Sequence, residues 1–311
     1  MKRIISVSRR TDIPAFYGDW FLNRINEGYV GYLNPFSKDK YKVSLKKEDV
    51  ECFVFWSKNF IPFIDKLKNI NNLGYKYYFN YTINGYSNIF EKYVFDTNKL
   101  LDNLILLSEI YSKDYINWRY DPIIISDKTD YEFHIKNFEN IAKRLKNHVE
   151  RCIISFVYLY EKVKKNILKV EKEHNLLIQN PENNLKIKLA NDLADIALSY
   201  GIKIYSCCGD YLKGQKIKKA HCVDWELIKK LFYNKGTELK YKTNPTRKEC
   251  GCTESTDIGA YNTCAHGCIY CYANIDKEDA YNRHKKHDKN SIFLGYSERE
   301  SKIWLSSIKD R

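Results

Sequence analysis

Short apolar runs alternate along the chain with longer segments in which apolar residues recur every three to four positions. The short runs are rich in β-branched and aromatic residues, which is typical of buried strands, whereas the longer segments have the period of an amphipathic helix. The pattern predicts strands over residues 4–8, 50–56, 75–81, 116–119, 152–157 and 202–206. It predicts helices over residues 19–27, 61–70, 98–111, 131–145 and 185–200, and a small hairpin from residues 29–33 and 41–45.

Repeated β-then-α units favour a parallel sheet with helices outside it, because that arrangement buries both faces of the sheet. With about six such units, we expect an α/β fold of the partial (β/α) barrel type. Residues 207–275 have little periodicity. We therefore predict a (β/α) barrel core over 1–206, a Cys-rich cluster-binding region over 207–275, and a C-terminal helix and tail over 276–311 that packs on the barrel.

Composition narrows the class of protein. The chain has 311 residues, of which 44% are hydrophobic, as in a globular protein, and no apolar run approaches the roughly 20 residues of a membrane span. We expect no membrane contact and a cytoplasmic location, since the apolar run at the start is too short for a signal peptide. The formal charge of +13 allows nucleic-acid binding, but the lysines are spread along the chain rather than gathered in one arm.

The cysteines are the most informative residues. Eight of the ten lie between positions 207 and 271, at tight spacings that include C-C, C-x-C and C-x₃-C-x₂-C. In a cytoplasmic chain, such clustering indicates metal binding rather than disulfides. Cys52 and Cys152 stand alone in apolar strand-like runs, where a cysteine behaves as a small core residue.

The C-x₃-C-x₂-C spacing belongs to Cys264, Cys268 and Cys271. Three thiolates this close together can hold three irons of one [4Fe–4S] cube and leave the fourth iron without a protein ligand, whereas an electron-transfer cluster normally has four cysteine ligands. The spacing therefore predicts a cluster with an open iron.

This loop, with Tyr270 before the third cysteine, resembles the cluster loop of radical SAM enzymes. Residues 6–14, 55–59, 118–122 and 250–273 more closely resemble a bacterial family of unknown function that carries the loop at its C-terminal end. The resemblance implies that S-adenosylmethionine (SAM) binds the open iron, with Tyr270 near the adenine, and is cleaved reductively to a 5′-deoxyadenosyl radical. It implies an electron donor such as ferredoxin or flavodoxin and leaves the substrate unknown.

A second set of cysteines precedes this loop. We predict Cys207, Cys222, Cys250 and Cys252 as ligands, with Cys208 as the substitute for Cys207, because adjacent side chains of an extended segment point in opposite directions. Four thiolates suit a second, fully ligated [4Fe–4S] cluster, which we expect here, and a structural zinc site is the alternative.

Polar residues at the carboxyl ends of the predicted strands are the remaining candidates, because functional residues of (β/α) barrels gather there. The candidate catalytic residues are Arg9, Asp12, Lys58, Arg119 and Asp121, and the candidate cofactor-binding residues are Arg10, Trp56, Gly267 and Tyr270. The arginines suit a carboxylate or phosphate, although Arg–Asp pairs that only brace the sheet are the alternative. His266 is expected to face solvent or to bond the backbone.

Two other functions remain open. A two-cluster electron-transfer protein without SAM chemistry requires the 264–271 loop to borrow Cys250 or Cys252 as a fourth ligand. A zinc-stabilised nucleic-acid-binding protein would use the +13 charge and the Cys₄ spacing.

Overall fold

The computed structural model describes residues 1–35, 37, 39–234 and 238–310. The strands are β1 (Arg3–Val7), β2 (Tyr29–Leu33), β3 (Lys40–Ser44), β4 (Val50–Ser57), β5 (Tyr77–Thr82), β6 (Ile116–Ile123), β7 (Ile125–Ser126), β8 (Arg151–Phe156), β9 (Ile178–Gln179), β10 (Lys203–Ser206), β11 (Ile217–Lys219), β12 (Thr256–Asp257) and β13 (Lys309–Asp310). The helices are α1 (Ile13–Phe16), α2 (Gly18–Glu27), α3 (Ile64–Asn72), α4 (Thr97–Tyr111), α5 (Tyr131–Leu145), α6 (Glu161–His174), α7 (Asn183–Ser199), α8 (Trp225–Phe232), α9 (Lys277–Lys286) and α10 (Glu298–Trp304).

Eight strands form one parallel sheet in the order β11-β10-β8-β6-β5-β4-β1-β12. The predicted α/β class is confirmed, but the sheet is open rather than a closed barrel, with β11 and β12 at its edges. Both edge strands were missed from the sequence. They have three and two residues, which is too short for an alternating pattern to appear.

The chain divides into two compact units made of non-consecutive segments. Unit 1 comprises residues 1–78, 255–267 and 271–311, and unit 2 comprises residues 79–254 and 268–270. The three regions predicted along the sequence remain a prediction.

Unit 1 is built on parallel pairing of β12, β1 and β4, with Ile5 opposite both Thr256 and Phe53. The predicted hairpin is confirmed, since β2 and β3 pair antiparallel, and β13 extends it. Helix α2 ends at Gly28, whose φ of 76° is a left-handed conformation that glycine adopts without strain.

Unit 2 is built on parallel pairing of β5, β6, β8, β10 and β11. Helix α5 has the bounds that periodicity predicts, and Asp130 caps its N-terminus by accepting a hydrogen bond from the Phe133 N–H. Strand β6 continues to Ile123, past the predicted end at residue 119, because a register shift after Tyr120 accommodates Pro122. No helix in the described part of the chain is both long and apolar enough to cross a membrane.

Candidate metal centre

Five cysteines gather at one end of the unit 2 strands. Cys207 follows β10 directly and Cys222 comes three residues after β11, so both lie at the carboxyl ends of neighbouring parallel strands. The segment carrying Cys250 and Cys252 is joined to this edge, because the Thr253 N–H donates to the Val223 carbonyl at 2.9 Å. Carboxyl ends of parallel strands are where ligand sites form in α/β sheets.

The five thiol groups form a closed ring of contacts. The Sγ atom of Cys207 lies 3.5 Å from that of Cys222 and 3.9 Å from that of Cys208. Hydrogen bonds link Cys208 to Cys250, Cys250 to Cys252 and Cys252 to Cys222. All five are reduced thiols. We call this group the five-thiol cluster.

The prediction that the side chains of Cys207 and Cys208 point in opposite directions is wrong. Cys208 has a φ of 53°, so the segment turns instead of extending and both side chains reach the cluster. Cys208 is the only half-exposed member, whereas each of the other four thiol residues is at least nine-tenths buried. The four predicted ligands are thus the four buried ones.

The cluster favours negative charge at two of its sulfurs. Hydrogen bonds from Cys208 and Cys222, together with Arg119 and Arg247, lower the pKa of Cys207 despite its burial. Hydrogen bonds from Cys208 and Cys252 likewise lower the pKa of Cys250. The same thiol hydrogen bonds, together with burial, raise the pKa of Cys208 and of Cys222, so the ring favours thiolate at Cys207 and Cys250 and thiol at Cys208 and Cys222.

Two arginines contact the thiols. Arg119 Nη1 lies 2.9 Å from Cys222 Sγ, and its Nη2 donates to Asp121, which also accepts a hydrogen bond from Ser155. Arg247 Nη2 lies 3.8 Å from Cys207 Sγ. Burial alone would lower the pKa of the Arg119 guanidinium, but Cys222 and Asp121 raise it well above its usual range.

Arg119 and Asp121 are two of the predicted catalytic residues. In unit 2 they bond to each other, and Arg119 also bonds to Cys222 of the second cysteine set. Their catalytic role stays a prediction. Their pairing matches the alternative reading of a bracing ion pair, with a thiol as an additional partner.

The donor set suits a soft metal, although it does not form a ready metal site. Among the described residues, no three His, Cys, Asp or Glu side chains converge in a geometry that could hold a metal ion. In a zinc tetrathiolate with bonds of about 2.3 Å, sulfurs lie about 3.8 Å apart, which is close to the distances around Cys207. Of the four predicted ligands, Cys207 and Cys222 therefore lie at a separation that shared coordination of one ion allows.

The C-x₃-C-x₂-C loop is shared between the units, and unit 2 contains residues 268–270. Cys268 forms an isolated bridge with Glu91, and the Ile269 N–H donates to the Phe90 carbonyl at 3.0 Å. The Tyr270 hydroxyl donates to the buried Glu91 carboxylate and accepts from Asn84 Nδ2 at 3.2 Å. Burial, Cys268 and Glu91 raise the pKa of Tyr270 well above its usual range, so it stays protonated.

Unit 1 holds the first part of the loop through side chains. Asn274 Nδ2 donates to the Cys264 carbonyl at 2.6 Å, and the Tyr17 hydroxyl donates to the Thr263 carbonyl at 2.6 Å. Within the loop, Gly267 has a φ of 70°, which glycine adopts without the strain that other residues would incur. The prediction that Gly267 lets the backbone approach a cofactor closely stays a prediction.

Asp12 is the central carboxylate of unit 1. It accepts hydrogen bonds from Ser57 Oγ at 2.7 Å, from the Lys58 N–H at 2.8 Å and from His266 Nε2 at 2.7 Å. His266 is 3% exposed, so the expectation of a solvent-facing or backbone-bonded histidine was wrong. Asp12 thereby joins the ends of β1 and β4 to the C-x₃-C-x₂-C loop.

Asp257, which the sequence did not single out, pairs with Arg9. It accepts from Ser8 Oγ at 2.6 Å and from the Arg9 N–H at 2.8 Å, with Arg9 Nε at 3.5 Å. Burial would raise the pKa of Asp257, but Arg9, Arg10 and these hydrogen bonds hold it below its usual range. Arg9 therefore braces β12 against β1. No sequence signal marked Asp257, because β12 is only two residues long.

Several buried polar atoms of unit 1 have no hydrogen-bond partner among the residues that the structure describes. They include Arg10 Nη1, Thr11 Oγ1, His266 Nδ1 and Asn274 Oδ1. Arg10 also stacks its guanidinium over Tyr32, 5.2 Å from the ring centre. Because native proteins pair nearly all buried polar groups, such atoms indicate a place where a polar ligand or water belongs. Trp56 is half-buried at the end of β4, and its predicted cofactor contact stays a prediction.

A family model matches most of the chain. The model described as "Domain of unknown function (DUF1848)" matches residues 4–273. The chain belongs to the DUF1848 family. The match includes all ten cysteines, so the five-thiol cluster and the C-x₃-C-x₂-C loop both lie inside the family domain.

Other comparisons are distant. No curated protein matches the chain. A D-hydantoinase from Bacillus sp. AR9 is 10% identical with a TM-score of 0.29, and the match covers 66% of this chain and 38% of that one. A second D-hydantoinase is 8% identical with a TM-score of 0.30, over 65% and 40% of the two chains. This chain thus spans about two fifths of the hydantoinases' length, and the likeness is too low to support an inference about fold or function.

Proposed function

We propose that this DUF1848 chain is a radical SAM-type iron–sulfur enzyme in which Cys264, Cys268 and Cys271 hold a [4Fe–4S] cluster. The observation that carries the proposal is the C-x₃-C-x₂-C loop, whose cysteines are reduced and whose backbone is fixed by side-chain hydrogen bonds. With SAM bound, such a cluster supplies a 5′-deoxyadenosyl radical for hydrogen abstraction from a substrate. The proposal includes a partial (β/α) barrel, a cytoplasmic location and a ferredoxin or flavodoxin as electron donor.

The chain's own residues would bind and orient. Asp12 fixes the imidazole of His266 so that its unpartnered, buried Nδ1 is available to a ligand. Glu91 fixes the hydroxyl of Tyr270 and thereby the plane of the ring expected beside the adenine. Arg10 Nη1 and Thr11 Oγ1 are unpartnered donors suited to an anionic group such as a carboxylate.

The same proposal assigns a second metal centre to the five-thiol cluster through Cys207, Cys222, Cys250 and Cys252. We expect a fully ligated [4Fe–4S] cluster, which would hold charge without an open iron. Zinc is the second candidate, because four thiolates also form a structural zinc site.

The test is purification without oxygen, followed by analysis of iron, sulfide and zinc. Dithionite and SAM are then added and 5′-deoxyadenosine is measured. Two clusters give about eight irons per chain, and a zinc second site gives about four irons and one zinc. C268A should abolish 5′-deoxyadenosine and leave the second site loaded. C152A, which removes a core thiol outside both sets, is the matched control and should retain both centres and product formation.

The outcomes separate the alternatives. Intact clusters without 5′-deoxyadenosine would exclude SAM cleavage and favour a two-cluster electron-transfer protein. Zinc without iron, together with nucleic-acid binding that weakens steeply with salt, would favour the zinc-stabilised nucleic-acid-binding protein.

A further inference from the structure

Arg119 of unit 2 makes one contact more than an ion pair that only braces the sheet. Its side chain is 7% exposed and its guanidinium joins two acceptors, Cys222 Sγ at 2.9 Å through Nη1 and the Asp121 carboxylate through Nη2. The other oxygen of Asp121 accepts from Ser155 Oγ. One chain of hydrogen bonds therefore runs from Ser155 through Asp121 and Arg119 to a sulfur of the five-thiol cluster.

The Cys222 end of this chain is fixed independently. Asn80 Nδ2 donates to the Cys222 carbonyl at 3.1 Å, and Asn117 Nδ2 donates to Asn80 Oδ1 at 3.2 Å. Asn80 and Asn117 are fully buried. The backbone of Cys222 and the guanidinium of Arg119 are thus each held by hydrogen bonds besides the one that joins them.

The contact between Arg119 and Cys222 matches the negative charge of a metal centre with four thiolate ligands. Four thiolates around a divalent ion, or around an oxidised [4Fe–4S] core, leave two negative charges on the centre. Arg119 and Arg247 bring two positive charges to the cluster, and the Asp121 carboxylate that pairs with Arg119 offsets one of them. Asp121 already compensates the burial of the guanidinium, and a hydrogen bond to a neutral thiol adds little to that, whereas a hydrogen bond to a metal-bound thiolate is charge-assisted.

We propose that Arg119 is a positioning residue for the second metal centre, held by Asp121 and Ser155 so that it donates a hydrogen bond to the metal-bound thiolate of Cys222. The inference rests on the proposed second centre and not on SAM chemistry. Partners that bond to metal ligands orient them, and removing such a partner typically costs about 10- to 100-fold in metal affinity.

The experiment uses the C268A chain, in which the remaining metal belongs to the second site. Metal release to a chelator is timed for C268A alone and with R119Q, R119K or R151Q added, using bathophenanthroline for iron and 4-(2-pyridylazo)resorcinol for zinc. Arg151 is the matched control, because it is a part-buried arginine of unit 2 whose ion pair is with a carboxylate, that of Asp224 at 3.1 Å. Circular dichroism verifies that each variant is folded.

We expect R119Q to release metal about 10- to 100-fold faster than its parent, R119K to lie between them, and R151Q to match the parent. If the centre is an iron–sulfur cluster, R119Q should also make its reduction potential more negative, because the lost donor stabilised the extra electron. That shift is one that a merely bracing residue would not produce.

Equal release from R119Q and its parent would overturn the inference, as would release from R151Q as fast as from R119Q. A C268A chain without second-site metal would overturn it as well. Failure of the unmodified chain to form 5′-deoxyadenosine, with Arg119-dependent metal release intact, would instead refute only the SAM assignment.

Discussion

His134 makes the stability of unit 2 depend on pH in a way that the structure quantifies. Its ring is completely buried, with Nε2 2.8 Å from the Ile124 carbonyl and Nδ1 2.8 Å from the Tyr120 hydroxyl. Because a carbonyl only accepts, Nε2 carries the proton and Nδ1 accepts from Tyr120. The folded chain therefore holds a neutral imidazole, and burial lowers the pKa of His134 from 6.5 to about 4.

Proton binding at His134 lowers the free energy of unfolding. Between pH 6.5 and 4 the unfolded chain binds a proton at His134 and the folded chain does not, so protons favour unfolding. The stabilisation is complete above pH 6.5 and is lost as the pH falls towards 4. The whole shift corresponds to about 3 kcal/mol, and the part lost between pH 7.5 and pH 5 is about 2 kcal/mol.

The assay is urea unfolding of the unmodified chain and of H134Q at several pH values from 7.5 to 5. Glutamine can hydrogen-bond but does not titrate, so H134Q should be less stable at pH 7.5 and lose about 2 kcal/mol less than the unmodified chain on going to pH 5. The comparison is needed because burial also lowers the pKa of His284 and of His287, which add to the slope. Identical slopes for the two proteins would refute the assignment of a neutral, buried His134.

Two further predictions concern the packing of β1 and the choice of metal ligands. G259A should lower the melting temperature by several degrees, because its Cβ would lie 2.0 Å from Ser8 Oγ. G214A is the control and should leave the melting temperature unchanged, because the added methyl group would lie in open space. Equal melting temperatures for the two variants would contradict the close approach. C222S should lose the second-site metal while C208S retains it, as measured by metal analysis of the purified proteins, because Cys208 is the half-exposed fifth thiol; metal loss in C208S alone would reverse the ligand assignment.

The fold was predictable where the chain repeats a pattern over several turns or residues. Helix α5 has an apolar face that recurs along its whole length, and its observed bounds are the predicted ones. Strand β4 contains an unbroken apolar run from Cys52 to Trp56, as expected for a strand buried on both faces. Strands β11 and β12 offered no such pattern, and they form the two edges of the open sheet.

The candidate site was predictable in residue type but not in pairing. Cysteine spacing identified the members of the five-thiol cluster, because metal ligands must lie close together. It could not reveal that Cys208 turns into the cluster, since that depends on one φ angle. Nor could it reveal that Arg119 bonds to a cysteine 103 positions away in the sequence, because such a partner is set by the order of the strands.

The unpartnered polar atoms and the five-thiol cluster differ in whether a ligand would add hydrogen bonds or replace existing ones. In unit 1, Thr11 Oγ1 and His266 Nδ1 are buried without partners, which is costly unless a polar ligand or water supplies the missing hydrogen bonds. In unit 2, the thiols already bond to one another and to two arginines, so a metal would replace contacts that exist. A polar molecule bound in unit 1 would therefore supply hydrogen bonds that are missing, whereas a metal bound in unit 2 would take the place of hydrogen bonds that the thiols already make.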